Sequence, residues 1–216
     1  MPDEDKKYRQ FYNAFMDYLK NPDWNFGIHN RLIETLDQLF SCPDIPVSIF
    51  YELYFLKCYN IYLALARNPS TPPEILGWLA EENDETITNL LCANPNTPLD
   101  FLISKASYMC KSYLPTCGLS RLAPCSNAHH KYRALRNPSL PVDVILAVFE
   151  DELKMKRNMA SASFYYLCSR NFIISILLNP NCPEEIVFDC LLDNDNMVNF
   201  CAQEVLKKKQ ADGKYK

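Results

Sequence analysis

The segment RNPSTPPEIL, residues 67–76, decides the fold, because three similar segments follow it along the chain. In each one an asparagine is followed directly by a proline, by a second proline four residues after the asparagine, and by an acid two residues later. So many shared positions indicate an internal repeat, the signature of stacked helical units. The three later segments are ANPNTPLDFL (93–102), RNPSLPVDVI (136–145) and LNPNCPEEIV (178–187).

The motif also fixes where apolar residues fall. Two apolar residues follow each acid, and apolar or small residues precede each asparagine, while a degraded fifth copy, SCPDIPVSIF (41–50), keeps only the prolines. We take these positions as structural residues of the repeat rather than as a site. The motif residues are Asn68, Pro69, Pro72, Glu74, Asn94, Pro95, Pro98, Asp100, Asn137, Pro138, Pro141, Asp143, Asn179, Pro180, Pro183 and Glu185.

Each motif is typical of a junction between two helices. Asparagine tolerates the left-handed conformation that ends many helices, and the proline after it cannot continue a helix. In the first copy Thr71 is then expected to be the N-cap, Pro72 the first helical residue, and Glu74 the partner in a capping box. Apolar residues at one-turn spacing after the junction predict one buried helical face. The sequence thus predicts an all-helical chain.

The spacing of the motifs predicts the domain organisation. The step between asparagines is 26 residues at first and then 43 and 42, lengths that fit helix pairs. We expect N-terminal capping helices over 1–40, a repeat array over 41–206 and a polar, frayed tail over 207–216. Within the array the repeats are expected near 41–66, 67–92, 93–106, 132–160 and 173–206, with an insertion over 107–131. Because each unit exposes an apolar face that only a neighbour covers, a curved α-solenoid is expected.

The stretch ARNPSTPPEILGWLAEENDETITNLLCANPNTP, residues 66–98, resembles the leucine-rich repeat variant, a repeat found in bacterial proteins. The resemblance implies units of an α-helix and a short 3₁₀ helix in a right-handed superhelix without β-sheet, related to HEAT-like solenoids. It is strong over 61–102, fair over 132–149 and 173–201, and absent over 1–40 and 103–130. The iron–sulfur cluster of the best-known type is not implied here, because nothing before Cys42 supplies its cysteines.

Composition and termini suggest a cytoplasmic protein that is not bound to a membrane. The 216 residues are 48% hydrophobic and 22% charged, as in ordinary globular proteins. The first residues, MPDEDKKYRQFYNAF, lack the apolar core of a signal peptide, and no apolar run approaches the ~18 residues of a membrane span. The ten cysteines are therefore expected to be reduced and mostly structural.

Catalytic signatures are missing from the sequence. It has no glycine-rich phosphate loop, no G-x-S-x-G, no H-E-x-x-H and no C-x-x-C. We therefore expect a non-enzymatic protein with no cofactor and no evident small-molecule substrate. A zinc site made by Cys110, Cys117, Cys125 and His129 is an open alternative to buried structural thiols, but the spacing lacks the close cysteine pairs of typical zinc sites. The acidic turns at 81–86 and 193–196 are expected to be solvated loops.

Charge singles out the segment 101–142. Residues 1–100 hold 15 acids and 7 bases, whereas residues 101–216 hold 11 acids and 15 bases, and 101–142 contains no acid at all. Basic residues with interleaved tyrosines suit contacts to phosphates and bases, although a solvated face or contacts to an acidic protein are equally ordinary explanations. The candidate binding residues are Lys105, Lys111, Arg121, Lys131, Tyr132, Arg133 and Arg136.

The expected function is a binding module that holds a protein partner on the solenoid surface, since solenoids offer extended faces and little catalytic machinery. The alternative is a HEAT-like nucleic-acid-binding protein that uses 101–142. In that case binding should weaken steeply with salt, and charge reversal at Lys131, Arg133 and Arg136 should abolish it. Trp78, on a repeat helix, is expected to pack rather than to stack on a ligand.

Overall fold

The computed structural model describes residues 4–20, 34–42, 45–108, 126–159 and 163–213. Every regular element in these ranges is a helix and none is a strand, which confirms the predicted all-α class. None of the helices in this part of the chain has both the length and the apolarity that crossing a membrane requires.

The chain forms two compact units, residues 1–96 and 97–216. In unit 1, α4 packs against α6 and each of them packs against α5, while α3 contacts both α4 and α5. The helices of unit 1 are α1 (Glu4–Lys20), α2 (34–40), α3 (Val47–Phe55), α4 (Tyr59–Arg67), α5 (Pro73–Glu81) and α6 (Glu85–Ala93).

Unit 2 has a similar pattern of neighbours. In it α8 packs against α7 and α10, and α10 also packs against α9 and α12, while α11 packs against α12. The helices of unit 2 are α7 (Leu99–Ala106), α8 (Ser126–Arg136), α9 (Val142–Arg157), α10 (Phe164–Leu177), α11 (Glu184–Leu191) and α12 (Asn196–Ala211).

The motifs fall at helix junctions, but their asparagines do not adopt the expected left-handed conformation. Asn68 ends α4 with φ −77° and ψ 120°, and Asn94 ends α6 with φ −79° and ψ 127°, both extended. Among the non-glycine residues that the structure describes, the left-handed conformation instead occurs after α3 and α5, at Lys57 (φ 50°) and Asn83 (φ 54°). The extended backbone lets the side-chain oxygen of Asn68 accept a bond from the N–H of Ser70, 2.9 Å away.

The predicted capping box at Thr71 is also wrong. The N-cap of α5 is Pro72, without a side-chain cap, and the Thr71 hydroxyl points back to donate to the carbonyl of Leu65 at 2.7 Å. The side chain at this motif position is buried in the core and does not cap the helix. This explains why leucine and cysteine also occur there. The four residues at this position are 0–5% exposed: Thr71, Thr97, Leu140 and Cys182. The acids that follow do lie in the first turns of α5, α7, α9 and α11.

The asparagine of the second motif bonds to the backbone of the first. The amide of Asn94, 2% exposed, donates to the carbonyl of Ala66 at 2.9 Å and to that of Asn68 at 2.8 Å. Two residues later the Asn96 amide donates to the carbonyl of Pro69 at 2.6 Å. Two motifs 26 residues apart are thus joined by three side-chain hydrogen bonds within unit 1.

The same bonds recur in unit 2 across a longer step. The amide of Asn179, 1% exposed, donates to the carbonyls of Leu135 at 2.7 Å and Asn137 at 3.0 Å. The Asn181 amide donates to the carbonyl of Pro138 at 2.6 Å. The bonded positions match those of unit 1 residue for residue, although the motifs here lie 42 residues apart. The asparagine–proline motif therefore marks the end of a helix and, in Asn94 and Asn179, also hydrogen-bonds to the backbone of the preceding motif in the same unit.

The acidic turns are more than solvated loops. Asp84 caps α6 by accepting from the N–H of Ile87 at 2.8 Å, and the Tyr59 hydroxyl donates to it at 3.3 Å. In unit 2 Asp195 caps α12, and the Tyr166 hydroxyl donates to it at 2.8 Å. Each aspartate thus joins the start of one helix to a tyrosine on a neighbouring helix.

Helices occupy parts of two segments that the sequence places outside the repeats. Helix α12 continues through Ala211, so residues 207–211 of the segment predicted as a frayed tail are helical. Lys209 within it is 8% exposed and donates to the carbonyl of Cys182 at 2.7 Å, a buried bond that holds the helix end. Helix α8 begins at Ser126, within the predicted insertion over 107–131. Residues 109–125 lie outside the described part of the chain.

Candidate binding surfaces

The predicted basic site is scattered in the structure. Lys105 is half-buried, with its ammonium 5.0 Å from the ring centre of Phe101 on the same helix. Lys111 and Arg121 lie outside the described residues. The remaining candidates are all on α8, and they divide between the interior and the surface.

Lys131 does not lie on the surface, contrary to the prediction. It is 2% exposed, and its ammonium pairs with the carboxylate of Glu152 at 2.6 Å. The same ammonium donates to the carbonyl of Tyr108 at 2.9 Å and lies 4.7 Å from the ring centre of Phe172. A buried lysine is tolerable only when paired and hydrogen-bonded in this way. Its charge is used inside the protein and does not contribute a phosphate contact.

The other three residues of α8 have different environments. Arg133 and Arg136 are exposed in the last turns of the helix, three residues apart and so on one face. Tyr132 is half-buried, and its ring packs against Phe172 with the centres 4.7 Å apart. Of the seven predicted binding residues, the two arginines are thus the ones that the described structure leaves on the surface with their charges outward.

Of the four possible zinc ligands, the structure describes only His129. Cys110, Cys117 and Cys125 lie outside the described residues, and His129 is exposed on α8. Among the residues that the structure describes, no three side chains of the metal-binding types converge.

A cavity of about 140 Å³ adjoins the Lys131–Glu152 pair in unit 2. Aromatic and small side chains of α9 and α10 line it, among them Phe172, Cys168 and Ser169. Two of its charged groups, Lys131 and Glu152, are engaged with each other, and the third, Asp151, lies 3.7 Å from the ammonium of Lys154.

A second, larger cavity of about 380 Å³ also lies in unit 2. At its edge Lys156 pairs with Asp193, with side chains 6% and 12% exposed, and the Lys156 ammonium lies 5.4 Å from the Tyr166 ring centre. Burial and the hydrogen bond to Asp195 raise the pKa of Tyr166 to about 12, so this hydroxyl stays a donor over a wider pH range than an ordinary tyrosine does. This network holds α9, α10 and the turn before α12 together.

Unit 1 has a surface that the sequence analysis missed. We call it the aromatic surface, and it consists of Tyr51, Tyr54 and Phe55 of α3, Tyr62 of α4 and Trp78 of α5. Phe55 is 64% exposed and the other four are half-buried. The first three residues lie at i, i+3 and i+4 of α3, opposite a buried face of Ile49, Phe50 and Leu53.

The rings of the aromatic surface form one continuous cluster centred on Trp78. The centre of the Trp78 ring lies 5.1 Å from that of Tyr54, 5.8 Å from Tyr51 and 6.1 Å from Phe55. Tyr54 stacks on Tyr62 with 5.2 Å between centres and 15° between planes. Such contacts hold the rings in fixed positions while leaving Phe55 open to solvent.

Two carboxylates border this cluster. Glu81 and Glu82 are exposed and follow Trp78 by three and four residues, which places them on the same side of α5. Neither pairs with a lysine or arginine in the described part of the chain. Burial raises the pKa of Tyr54, and the charges of Glu82 and Glu81 raise it further, so both carboxylates lie within electrostatic range of the rings.

The sequence does contain one signal for this surface. Helix α3, VSIFYELYF, has large apolar residues on both faces: one face is buried in unit 1, and the other carries rings that contact Trp78 while Phe55 stays largely exposed. A surface helix ordinarily carries its apolar residues on one face only, so the second apolar face of α3 sets it apart. The expectation that Trp78 packs is correct as far as its ring contacts go, but it overlooked that Trp78 packs at the edge of an open surface.

Comparison with known proteins adds no assignment. No family model, no curated protein and no solved structure matches the chain. The all-α class follows from the helices of the described residues, and the surfaces of units 1 and 2 are the features that bear on function.

Proposed function

We propose that the motif copies form a right-handed α-solenoid of the leucine-rich-repeat-variant or HEAT-like kind. Support comes from the periodic motif and from the matching asparagine bonds, which recur at 26 residues in unit 1 and at 42 residues in unit 2. Bonds of one type between successive motifs are what a nearest-neighbour array uses to hold its units in register.

We propose that the protein is a non-enzymatic binding module for another protein and that it uses the aromatic surface. The observation that carries this proposal is the exposed Phe55 beside four half-buried aromatic rings on α3, α4 and α5. Aromatic residues are enriched in the cores of protein interfaces, because they bury a large area with little loss of rotamer freedom.

The charges of unit 2 support the same choice. Lys131, one of the bases of the predicted basic segment, is paired with Glu152 in the interior, and a nucleic-acid site needs its cations at the surface. A protein site needs a small anchoring cluster with a polar rim, and the rings with Glu81 and Glu82 have that arrangement.

The test is affinity capture from the native host with nuclease added, using wild type and two matched variants. Phe55→Ser removes the exposed ring of the aromatic surface. Phe200→Ser makes the same change at a ring of nearly equal exposure, 61%, on α12. We expect at least tenfold weaker capture of a defined partner by Phe55→Ser and no change with Phe200→Ser. Equal capture by both variants would contradict the proposal, as would a ligand that nuclease removes.

A further inference from the structure

We infer that the aromatic surface recognises an arginine-bearing basic segment of its partner. This inference rests on the proposed function and specifies the chemistry of the ligand. The observations that lead to it are the Trp78 ring cluster, the two carboxylates beside it and the charge of unit 1.

The rings provide the first element of a cation site. A guanidinium or ammonium group within about 6 Å of an aromatic ring centre is attracted by the negative face of the ring, and tryptophan is the strongest of the three aromatic residues. Trp78 is half-buried and is held by Tyr51, Tyr54 and Phe55, so its orientation is set before a ligand arrives. A preformed site does not lose conformational entropy on binding to the extent that a mobile one does.

The carboxylates provide the second element. Glu81 and Glu82 lie one turn after Trp78 on the same side of α5, are exposed, and have no basic partner in the described residues. In unit 2 the buried acids Glu152 and Asp193 both have lysine partners. The pair on α5 is thus available to a cation that comes from outside the chain.

The charge of the whole unit favours the same ligand. Residues 1–96 contain 14 acids and 7 bases, a net charge of −7. A field of this sign accelerates the approach of basic segments and disfavours acidic ones, nucleic acid included.

Arginine fits better than lysine for a geometric reason. Its guanidinium is planar, so it stacks on a ring face while its N–H groups reach carboxylates at the ring edge. A lysine ammonium makes a point contact and is more strongly hydrated. A site that combines a tryptophan with two neighbouring carboxylates uses both properties of arginine.

The test uses three synthetic peptides that differ at two central positions, which carry arginine, lysine or the uncharged analogue citrulline. The protein is the full chain with Trp24→Phe, which leaves Trp78 as its only tryptophan, since the sequence has two. Tryptophan fluorescence reports contact with the ring, and fluorescence anisotropy of labelled peptide reports affinity. We expect the arginine peptide to bind about 10-fold more tightly than the citrulline peptide and about 2- to 5-fold more tightly than the lysine peptide.

Two double variants assign the effect. Glu81→Gln/Glu82→Gln should weaken the arginine peptide about 5- to 10-fold and leave the citrulline peptide unchanged. Glu184→Gln/Glu185→Gln changes another adjacent acidic pair, in the first turn of α11, and should alter neither affinity by more than about twofold.

The outcomes separate this inference from the proposed function. Citrulline and arginine peptides that bind equally, or equal losses in the two double variants, would overturn the inference. If Phe55→Ser still abolishes partner capture in that case, the protein-binding function stands with a different ligand. If capture is indifferent to Phe55→Ser while arginine selectivity depends on Glu81 and Glu82, the reverse holds.

Discussion

The two units use their charged residues in different ways. Unit 2 has an excess of bases, yet its lysines Lys131, Lys156 and Lys209 are at most 8% exposed and donate to carboxylates or carbonyls of the same unit. Unit 1 has an excess of acids, and Glu81 and Glu82 stay exposed beside aromatic rings without a basic partner in the described residues.

This contrast leads to a different candidate binding surface from the one that the charges in the sequence suggest. Counted along the sequence, the basic segment 101–142 stands out as a surface for an acidic ligand. In the fold, Lys131 of this segment is a buried structural cation, whereas Glu81 and Glu82 of unit 1 are exposed. The buried ion pair of unit 2, the asparagine bonds of unit 1 and the Asp195 carboxylate of unit 2 can each be tested by substitution in the intact chain.

The largest effect is expected from breaking the buried pair in unit 2. Lys131→Met leaves the Glu152 carboxylate, 10% exposed, without its cation, which should lower the free energy of unfolding by about 3–5 kcal/mol. Arg133→Met, two residues along α8 and exposed, should change it by no more than about 0.5 kcal/mol. Urea denaturation followed by circular dichroism measures both.

A double variant checks the cause. Lys131→Met/Glu152→Leu removes both charges and should recover most of the stability that Lys131→Met loses, because the unpaired buried charge is gone. Equal losses in Lys131→Met and Arg133→Met would mean that Lys131 is a surface residue after all.

The next effect concerns the asparagine bonds of unit 1. Asn94→Ala removes two donated bonds and leaves the carbonyls of Ala66 and Asn68 without that donor, so about 2–3 kcal/mol should be lost. Asn68 is the matched control, because it makes the same bond to the N–H two residues on, while its amide nitrogen has no acceptor in the described residues. Asn68→Ala should therefore cost about 1 kcal/mol.

Urea denaturation of Asn94→Ala and Asn68→Ala gives two unfolding midpoints, and the difference between them measures the contribution of the bonds between motifs. If Asn68→Ala destabilises the protein as much as Asn94→Ala does, the asparagine serves only its own turn, and the register of the motifs has another origin.

The smallest effect is a pH dependence in unit 2. Burial alone would raise the pKa of Asp195, but bonds from the Tyr166 hydroxyl and the Met197 N–H, together with the charge of Lys156, outweigh it and hold the pKa below its ordinary value of 3.8. A lowered carboxyl pKa stabilises the fold above the unfolded-state pKa, and this contribution is lost as the pH falls through the folded-state pKa.

Asp195→Asn removes that contribution while keeping a side chain that can still cap α12. We expect it to cost about 1 kcal/mol at neutral pH and progressively less as the pH falls below the ordinary value, so that its stability curve approaches that of wild type in acid. Urea midpoints at several pH values measure this, and a difference that stays constant with pH would contradict the assignment.

The sequence predicts the helices and their junctions well, because proline position and apolar spacing act locally. It predicts less about what those residues do. Asn94 was expected to end a helix, but its amide direction depends on a carbonyl 26 residues earlier that only the fold brings near. Thr71 was expected to cap, but the position is buried, and burial depends on the neighbouring helices.

The binding residues were harder to predict for the same reason. Lys131 and Arg133 are both basic residues of α8. Because successive residues of a helix are about 100° apart around its axis, these two side chains point in different directions. Which of them is buried is decided by which face of α8 meets α10. The aromatic surface combines residues from three helices, and only the apolar residues on both faces of α3 hint at it in the sequence.

The most direct test of the central claim places a photo-crosslinking amino acid at Phe55 in unit 1 and, in separate proteins, at Arg136 and Phe200 in unit 2. All three side chains are exposed, so incorporation should leave the fold intact. We predict that irradiation in host extract gives a discrete adduct from position 55 that keeps its size after nuclease treatment and yields peptides of the partner in mass spectrometry. Adducts from position 136 that nuclease removes, with none from position 55, would contradict the account and favour the nucleic-acid alternative.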